Sequence, residues 1–290
     1  MNISHTSRSA YRSLVLASLL IAIQLGCGDE ATSSSEEITP LSGTELEEAR
    51  TLFQGRFALR VQSTTEQELP VVGLARSTSY TYKLLTVNET DGVFNAEERF
   101  CAVRMETEGP ASPSVPMALV ESIPTFATAL KLTQDGDEWR WERARSGLVL
   151  GAQLDDPLND SLPDAESDAR VYDQDMDGHP GVTLNINGLI EGDIYAVIRY
   201  VDTLSGAVNA DGLWSGVARD ETEQLVIGAS QDVLKVNVTP VAIDDPTLNA
   251  VTALPISEDA GCTQVLDALN THFSDNWSPE SMETMTDAMD

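Results

Sequence analysis

The sequence predicts a mainly β chain: a single antiparallel barrel or sandwich with a short N-terminal helix and a C-terminal helix. Three observations carry this. Apolar residues recur at every second position through much of the chain, as where Phe57, Leu59 and Val61 alternate with Arg56, Ala58, Arg60 and Gln62. Successive side chains of a strand point to opposite faces, so this is the pattern of a half-buried strand. Turn-forming clusters separate such runs: Asn88-Glu-Thr-Asp-Gly92, Gln134-Asp-Gly136 and Asn209-Ala-Asp-Gly212. Helical spacing is confined to the two ends. A chain of 290 residues can bury a sizeable core as one such domain, and no internal repeat divides it.

Taken in order, residues 1–26 are expected to be a targeting segment. Arg8 and Arg12 make a positive start, and the apolar run from Leu14 to Ile23 is short for a membrane span. The run ends Gln24-Leu25-Gly26-Cys27. A small residue before cysteine, directly after such a stretch, resembles a bacterial lipoprotein signal, although Gln24 departs from the aliphatic residue usual at its position. The resemblance implies cleavage before Cys27, lipidation of Cys27 and an N-terminal lipid anchor in the membrane. Two or more acyl chains anchor stably where one does not.

Residues 27–42 read as an acidic flexible tether rich in Ser, Thr and Glu. The β-rich domain is expected over 43–276, beginning with a helix at 45–53 capped by Ser42 or Thr44. After the strand at Phe57, strands are expected at 71–76, 79–87, 100–106, 130–133, 138–143, 182–187, 194–201, 213–218 and 224–230. Residues 110–124 read as an irregular proline-dotted connection. Residues 154–170 form a second one, with Asp155, Asp156, Asp160, Asp164, Glu166 and Asp168. In residues 262–273, Val265, Leu266, Leu269 and Phe273 fall at helical spacing, so an amphipathic helix is expected to pack on the sheet. Residues 277–290 read as a disordered acidic tail.

The charge is strongly one-sided. Outside the targeting segment 15 basic residues face 47 acidic ones, a net of −32. Such a field repels nucleic acid and anionic headgroups and attracts cations. With Cys27 acylated, Cys101 and Cys262 remain as an even pair in an oxidising compartment. A disulfide between them is expected, worth roughly 4–5 kcal/mol in the chain-entropy model. The alternative is two unrelated buried thiols.

The sharpest chemistry lies in Asp173-Gln-Asp-Met-Asp-Gly-His-Pro-Gly181. Asp173, Asp175 and Asp177 alternate, so a curled chain can aim all three carboxylates at one point. Like charges that close repel unless a cation lies between them. Gly178 follows where such a loop turns sharply. The segment resembles the Asp-x-Asp-x-Asp-Gly loops of EF-hand, dockerin and thrombospondin type 3 calcium modules. The resemblance implies a Ca²⁺ site with Asp173, Asp175 and Asp177 as side-chain ligands and His179 as a backbone-carbonyl ligand. It spans about nine residues and departs from the EF-hand at Leu184, where that family has a bidentate glutamate. Another acid must therefore close the shell. A hairpin pairing Asn187 with Asp193 would bring Asp202 near the loop, with Asp168 as the second candidate. The ion is then expected to order the acidic insertion. The alternative is a solvated acidic loop without metal.

Enzyme motifs are missing from the sequence. Outside the targeting segment the histidines are His179 and His272, and there is no His-Glu-x-x-His, Gly-x-Ser-x-Gly or phosphate loop. Trp139 and Trp141 share one strand face, which fits core packing better than a ligand platform. As a whole the chain resembles uncharacterised lipoproteins of predatory deltaproteobacteria such as the myxobacteria, on its lipoprotein-like signal, acidic tether and Tyr172–Thr183 block. The expected protein is a non-enzymatic, calcium-binding lipoprotein of the bacterial cell envelope, anchored at the outer membrane and extracytoplasmic. Its partner would be another envelope protein. The alternative is a lipocalin-like barrel carrying a small apolar ligand.

Overall fold

Strands form where the period-two pattern places them, and they run well past it. The computed structural model describes residues 38–69, 73–109, 111–188, 190–275 and 277–279. These build α1 (Gly43–Phe53), β1 (Gly55–Leu69), β2 (Gly73–Thr90), β3 (Val93–Glu108), β4 (Ala111–Ser114), α2 (Met117–Ser122), β5 (Phe126–Asp135), β6 (Glu138–Leu150), β7 (Val182–Gly188), β8 (Gly192–Val208), β9 (Trp214–Ala229), β10 (Val241–Ala242), β11 (Ala250–Ile256) and α3 (Cys262–Phe273). The expected signal segment 1–26, Cys27, most of the tether and most of the tail lie outside the described residues.

Eight strands hydrogen-bond in chain order, β1-β2-β3-β5-β6-β8-β9-β11, each antiparallel to the next, and β11 returns to β1. The sheet is therefore a ring, the barrel of the two architectures the alternation allowed. The strand β8 holds the ring and a branch together. From Ile198 to Val208 one of its edges pairs with β6, while the same edge from Gly192 to Ala196 pairs with β7, which carries β4.

Several expectations are corrected. Residues 110–124 are not irregular, since they hold β4 and α2. The separate runs at 213–218 and 224–230 belong to one strand, β9, and β10 and β11 were not foreseen. Part of the tether packs: the Leu41 N–H donates to the Gly92 carbonyl at 2.9 Å, and its side chain lies against the core. Trp277, placed in the tail, stacks on Tyr82 with ring centroids 5.1 Å apart. Ser42 does occupy the N-cap position of α1, but its side chain makes no capping bond.

The inside of the ring is filled in layers. At one end Phe53 from α1 inserts among Trp214, Trp139 and Phe94, with centroids 5.0, 5.9 and 6.3 Å away. Trp139 and Trp141 face inward and are core residues, as their shared strand face predicts. Edge-to-face aromatic pairs of this kind contribute about 0.5–1.5 kcal/mol each beyond the area they bury.

The middle layer is charged. Strand parity puts Lys83 on the inward face with Leu85 and Val87, Glu98 with Phe94 and Ala96, and Arg143 with Trp139 and Trp141. Lys83 Nζ lies 2.7 Å from Glu98 Oε2, Arg143 Nε lies 3.1 Å from Glu98 Oε1, and Arg143 Nη2 pairs with Asp202. Burial alone would raise the Glu98 carboxyl, but Lys83 and Arg143 outweigh it and hold the pKa below the ordinary value. Beyond the charges, Leu119 of α2 packs with Leu150, Val182, Leu184, Ile194 and Val226.

Outside the ring, α3 lays Val265 and Leu269 on Ala58, Tyr82, Leu84 and Ala102. The Cys101 and Cys262 sulfurs are 2.02 Å apart, at disulfide distance, and tie the start of α3 to β3. Cleaving that link releases a loop with a sequence separation of 161 residues, so reduction or a Cys262→Ser change is expected to cost about 4–5 kcal/mol. Denaturant unfolding of oxidised and reduced protein measures it. Replacing Arg143 by Met strands Asp202 and leaves Glu98 with Lys83 alone, with an expected loss of about 3–5 kcal/mol in the same assay. An Arg143→Met protein as stable as wild type would mean that the ion cluster is not holding the strands.

Candidate metal centre

The loop that carries the three aspartates grows from the branch point of the sheet. Where β8 exchanges β6 for β7 as its neighbour, β6 ends opposite Ile198 and β7 begins opposite Ala196, two residues away. The two chain ends come so close that only glycine fits. A Cβ on Gly151 would lie 2.8 Å from the Gly181 Cα, and one on Gly181 would lie 2.6 Å from the Ala196 carbonyl oxygen. Both glycines also have positive φ, 79° and 95°. Residues 152–180 thus leave and return through one pinch.

Within it the last turn closes on itself. The Gly181 N–H donates to the Tyr172 carbonyl at 3.0 Å, and the Gln174 N–H donates to the Gly181 carbonyl at 3.1 Å. Between these bonds the chain turns tightly, with φ of 57° at Met176 and 93° at Gly178, as expected for the glycine. Asp173 accepts the Asp177 and Gly178 N–H groups at 3.2 and 2.9 Å. Asp177 accepts the His179 N–H at 2.9 Å and the Thr183 hydroxyl at 2.5 Å. The loop backbone therefore curls around its own carboxylates.

The expected convergence of Asp173, Asp175 and Asp177 is present: one carboxylate oxygen from each lies within 4.8 Å of the others. Asp173 and Asp177 are exposed, while Asp175 is buried. One Asp175 oxygen, Oδ2, accepts the Thr183 N–H at 2.9 Å, and the other, Oδ1, is buried without a hydrogen-bond partner. Burial raises the Asp175 pKa; the Thr183 N–H opposes this, and Asp177 and Asp173 add to it. Three converging carboxylates, one of them buried with an oxygen that has no partner, form a donor set of hard oxygens of the kind that suits a divalent cation such as Ca²⁺ or Mg²⁺.

Neither acid expected to close the shell is available. The hairpin pairs Asn185, not Asn187, with Asp193. Asp202 lies inside the barrel, 3% exposed, and is held by Arg143. Asp168 grips Arg170 through both oxygens, at 3.1 and 2.8 Å, which brings its pKa down to about 2. The nearest added oxygen is the Thr183 hydroxyl, at 2.5 Å from Asp177 Oδ2. The His179 imidazole is turned onto Tyr195, stacked at 4.0 Å with Nε2 3.3 Å from the phenol oxygen. This leaves its backbone carbonyl as the group the resemblance assigned.

The acidic insertion is held by arginines and by local hydrogen bonds to its own carboxylates, as where Asp156 accepts the Leu158 N–H at 3.0 Å and Asp160 accepts the Asp156 N–H at 2.9 Å. Arg170 Nη1 donates to the Ser161 carbonyl at 2.9 Å, and Arg199 Nη1 to the Asp160 carbonyl at 2.5 Å. The Gln153 N–H donates to the Arg170 carbonyl at 2.9 Å, and Leu162 is buried. Among the described residues the acids that converge are the three of the loop.

Sequence reasoning missed Thr183 and Gln174. Nothing in the residue type marks Thr183, which reaches the carboxylates because it opens β7 beside them. Gln174 sits between two aspartates and points the other way. Its Oε1 accepts the Gly151 N–H at 2.8 Å and the Tyr172 hydroxyl at 3.1 Å, and its Nε2 donates to Ser122 Oγ at 3.3 Å. Strand-like alternation through the loop was the available signal, because it sends Gln174 to the face opposite the aspartates.

Comparison with protein-family models, with curated proteins and with solved structures finds no match. A Gln174→Ala change removes a buried amide that pins the loop to α2 and to the end of β6. It is expected to lower stability by about 1–3 kcal/mol, read by denaturant unfolding, and to speed proteolysis within 152–180.

Proposed function

We propose that the protein is a non-enzymatic calcium-binding lipoprotein of the cell envelope, in which Ca²⁺ is held by Asp173, Asp175 and Asp177 and stiffens the loop at the branch of the barrel. The observation that carries this is the convergence of one carboxylate oxygen from each aspartate within 4.8 Å, together with a buried Asp175 whose Oδ1 has no hydrogen-bond partner. Oxygen donors without cysteine favour a hard ion over zinc or copper. The Thr183 hydroxyl beside Asp177 supports an added ligand, the resemblance to calcium loops assigns the His179 carbonyl as another, and water completes the shell. A flexible shell of this kind suits Ca²⁺ better than Mg²⁺, which demands near-octahedral geometry. The lipoprotein-like signal ending at Cys27 supports an extracytoplasmic site tethered to the outer membrane. There a weak site, with Kd of about 10⁻⁴–10⁻³ M, is still filled where calcium is plentiful.

The lipocalin-like alternative fits less well. Where such a barrel would hold an apolar ligand, this one holds Phe53, Trp139, Trp141 and Trp214 at one end and ion pairs in the middle.

Calcium titration of the full chain, followed by calorimetry and by thermal melting, tests the reading. At ten times Kd the ion should add about 1.4 kcal/mol of stability. Asp175→Asn should weaken binding at least tenfold, and Mg²⁺ should compete poorly. Neither heat nor a melting shift at 10 mM Ca²⁺ would overturn it.

A further inference from the structure

Five carboxylate or basic side chains are buried in the middle of the barrel, and they do not balance. Lys83 and Arg143 are matched by Glu98 and Asp202. The fifth, Asp220 on β9, is 9% exposed and stands directly opposite Asp202 in the β8–β9 register. Among the described residues no lysine, arginine or histidine pairs with it. One of its oxygens, Oδ2, accepts the Ser63 hydroxyl, and the other, Oδ1, is buried with no partner. Asp202 shows the complement: Arg143 takes Oδ1, and Oδ2 is buried with no partner. Two carboxylates on adjacent strands thus each leave one oxygen orphaned in a sealed interior.

A buried carboxylate without a counter-charge is strongly disfavoured, more so beside a second one. A metal cation between them would have to sit close to Lys83 and Arg143, whose charges repel it. A proton meets neither difficulty. On Asp220 it brings the cluster to two positive and two negative charges, and it turns an acceptor without a donor into an O–H beside an acceptor without a donor.

We propose that Asp220 is a neutral carboxylic acid at neutral pH, completing an electroneutral cluster with Lys83, Glu98, Arg143 and Asp202, and that the barrel consequently loosens when alkali removes this proton. Burial raises the Asp220 pKa; the Ser63 hydroxyl opposes this, and Asp202 raises it further. The groups facing it fit the same account. From β8 come Asp202 and Tyr200, whose phenol is pushed well above its usual range by burial and by both aspartates. Arg143 on β6, Glu98 on β3 and Lys83 on β2 stand behind Asp202. From β1 comes the Ser63 hydroxyl. A group whose pKa is higher in the folded than in the unfolded chain stabilises most fully below its unfolded value and stops doing so as pH rises through the folded one.

Infrared spectroscopy of the full chain at pH 7 with calcium present tests this, since ordinary surface carboxylates are ionised there. The expected result is a protonated-carboxyl band that persists in Asp175→Asn and vanishes in Asp220→Asn. The melting temperature of wild type should fall as pH climbs beyond the ordinary carboxylate range, while that of Asp220→Asn, which keeps the shape and is neutral throughout, should not. Carbon-13 NMR of wild type labelled at aspartate gives the same answer without a variant: one resonance should titrate far above the others. All aspartates titrating in the ordinary range, no protonated band at pH 7, or a band retained in Asp220→Asn would each overturn the proposal.

Discussion

A ring of eight strands has an inside that must be filled with side chains, and the rest of the molecule depends on how that is done. Here the filling is unequal along the axis. Aromatic rings close one end, α2 packs at the other, and ion pairs occupy the middle. The pairs join β2 to β3 through Lys83 and Glu98, β3 to β6 through Glu98 and Arg143, and β6 to β8 through Arg143 and Asp202. They brace the ring across its interior. Apolar residues of the same volume could stabilise the fold as well or better. What the charges add is intolerance of error: a one-residue slip of β3 or β6 would turn a charge out and leave its partner buried alone. The aromatic end gains less from register, because a ring misplaced by two residues still meets another ring.

That interior also explains what was legible in the sequence and what was not. Alternation located most of the strands, because Phe57, Leu59 and Val61 or Trp139 and Trp141 mark one face without ambiguity. It stopped short of two inward acids, Glu98 of β3 and Asp202 of β8, although it ran through Lys83 and Arg143. β3 was expected from residue 100, yet it starts at Val93, with Phe94, Ala96 and Glu98 on the inward face. Glu98 lay outside the expected strands and Asp202 was expected at the loop, whereas counting by twos from the neighbouring apolar residues sends both inside. Parity was the better guide. β11 was missed because Val251 and Ala253 are modest against their neighbours, and α2 because prolines on both sides, Pro116 and Pro124, suggested a loop. The pairing of Cys101 with Cys262 was legible from parity of number alone, since one cysteine was already assigned to the N-terminus.

The loop shows the limit from the other side. Its three aspartates, its glycine and their convergence could be read from nine letters, because the pattern is local. The closing group could not, because it depends on register. Pairing Asn187 with Asp193 in place of Asn185 shifts β7 by two residues relative to β8. That preserves which side chains face inward but moves every neighbour along the strand. Asp202 was assigned to the loop by running that hairpin on past Val182, whereas from Ile198 onward β8 pairs with β6 and Asp202 is held by Arg143.

The position of the loop follows from the same barrel. β8 is 17 residues long, and one edge serves β6 for part of its length and β7 for the rest. Wherever a strand changes neighbours on one edge, one chain must leave and another arrive at the same place. Two side chains cannot share that space, which is why Gly151 and Gly181 meet over Ala196. The chain between them is then anchored at both ends on rigid strands and free to curl beyond, with Gln174 fastening its inner face to α2 and β6. Carboxylates projected from such a base repel one another across a short gap that the strands do not let them widen. The three carboxylates are thus held near one another by the barrel beneath them, and it is this imposed proximity, rather than the residue types alone, on which the proposal of a cation there rests.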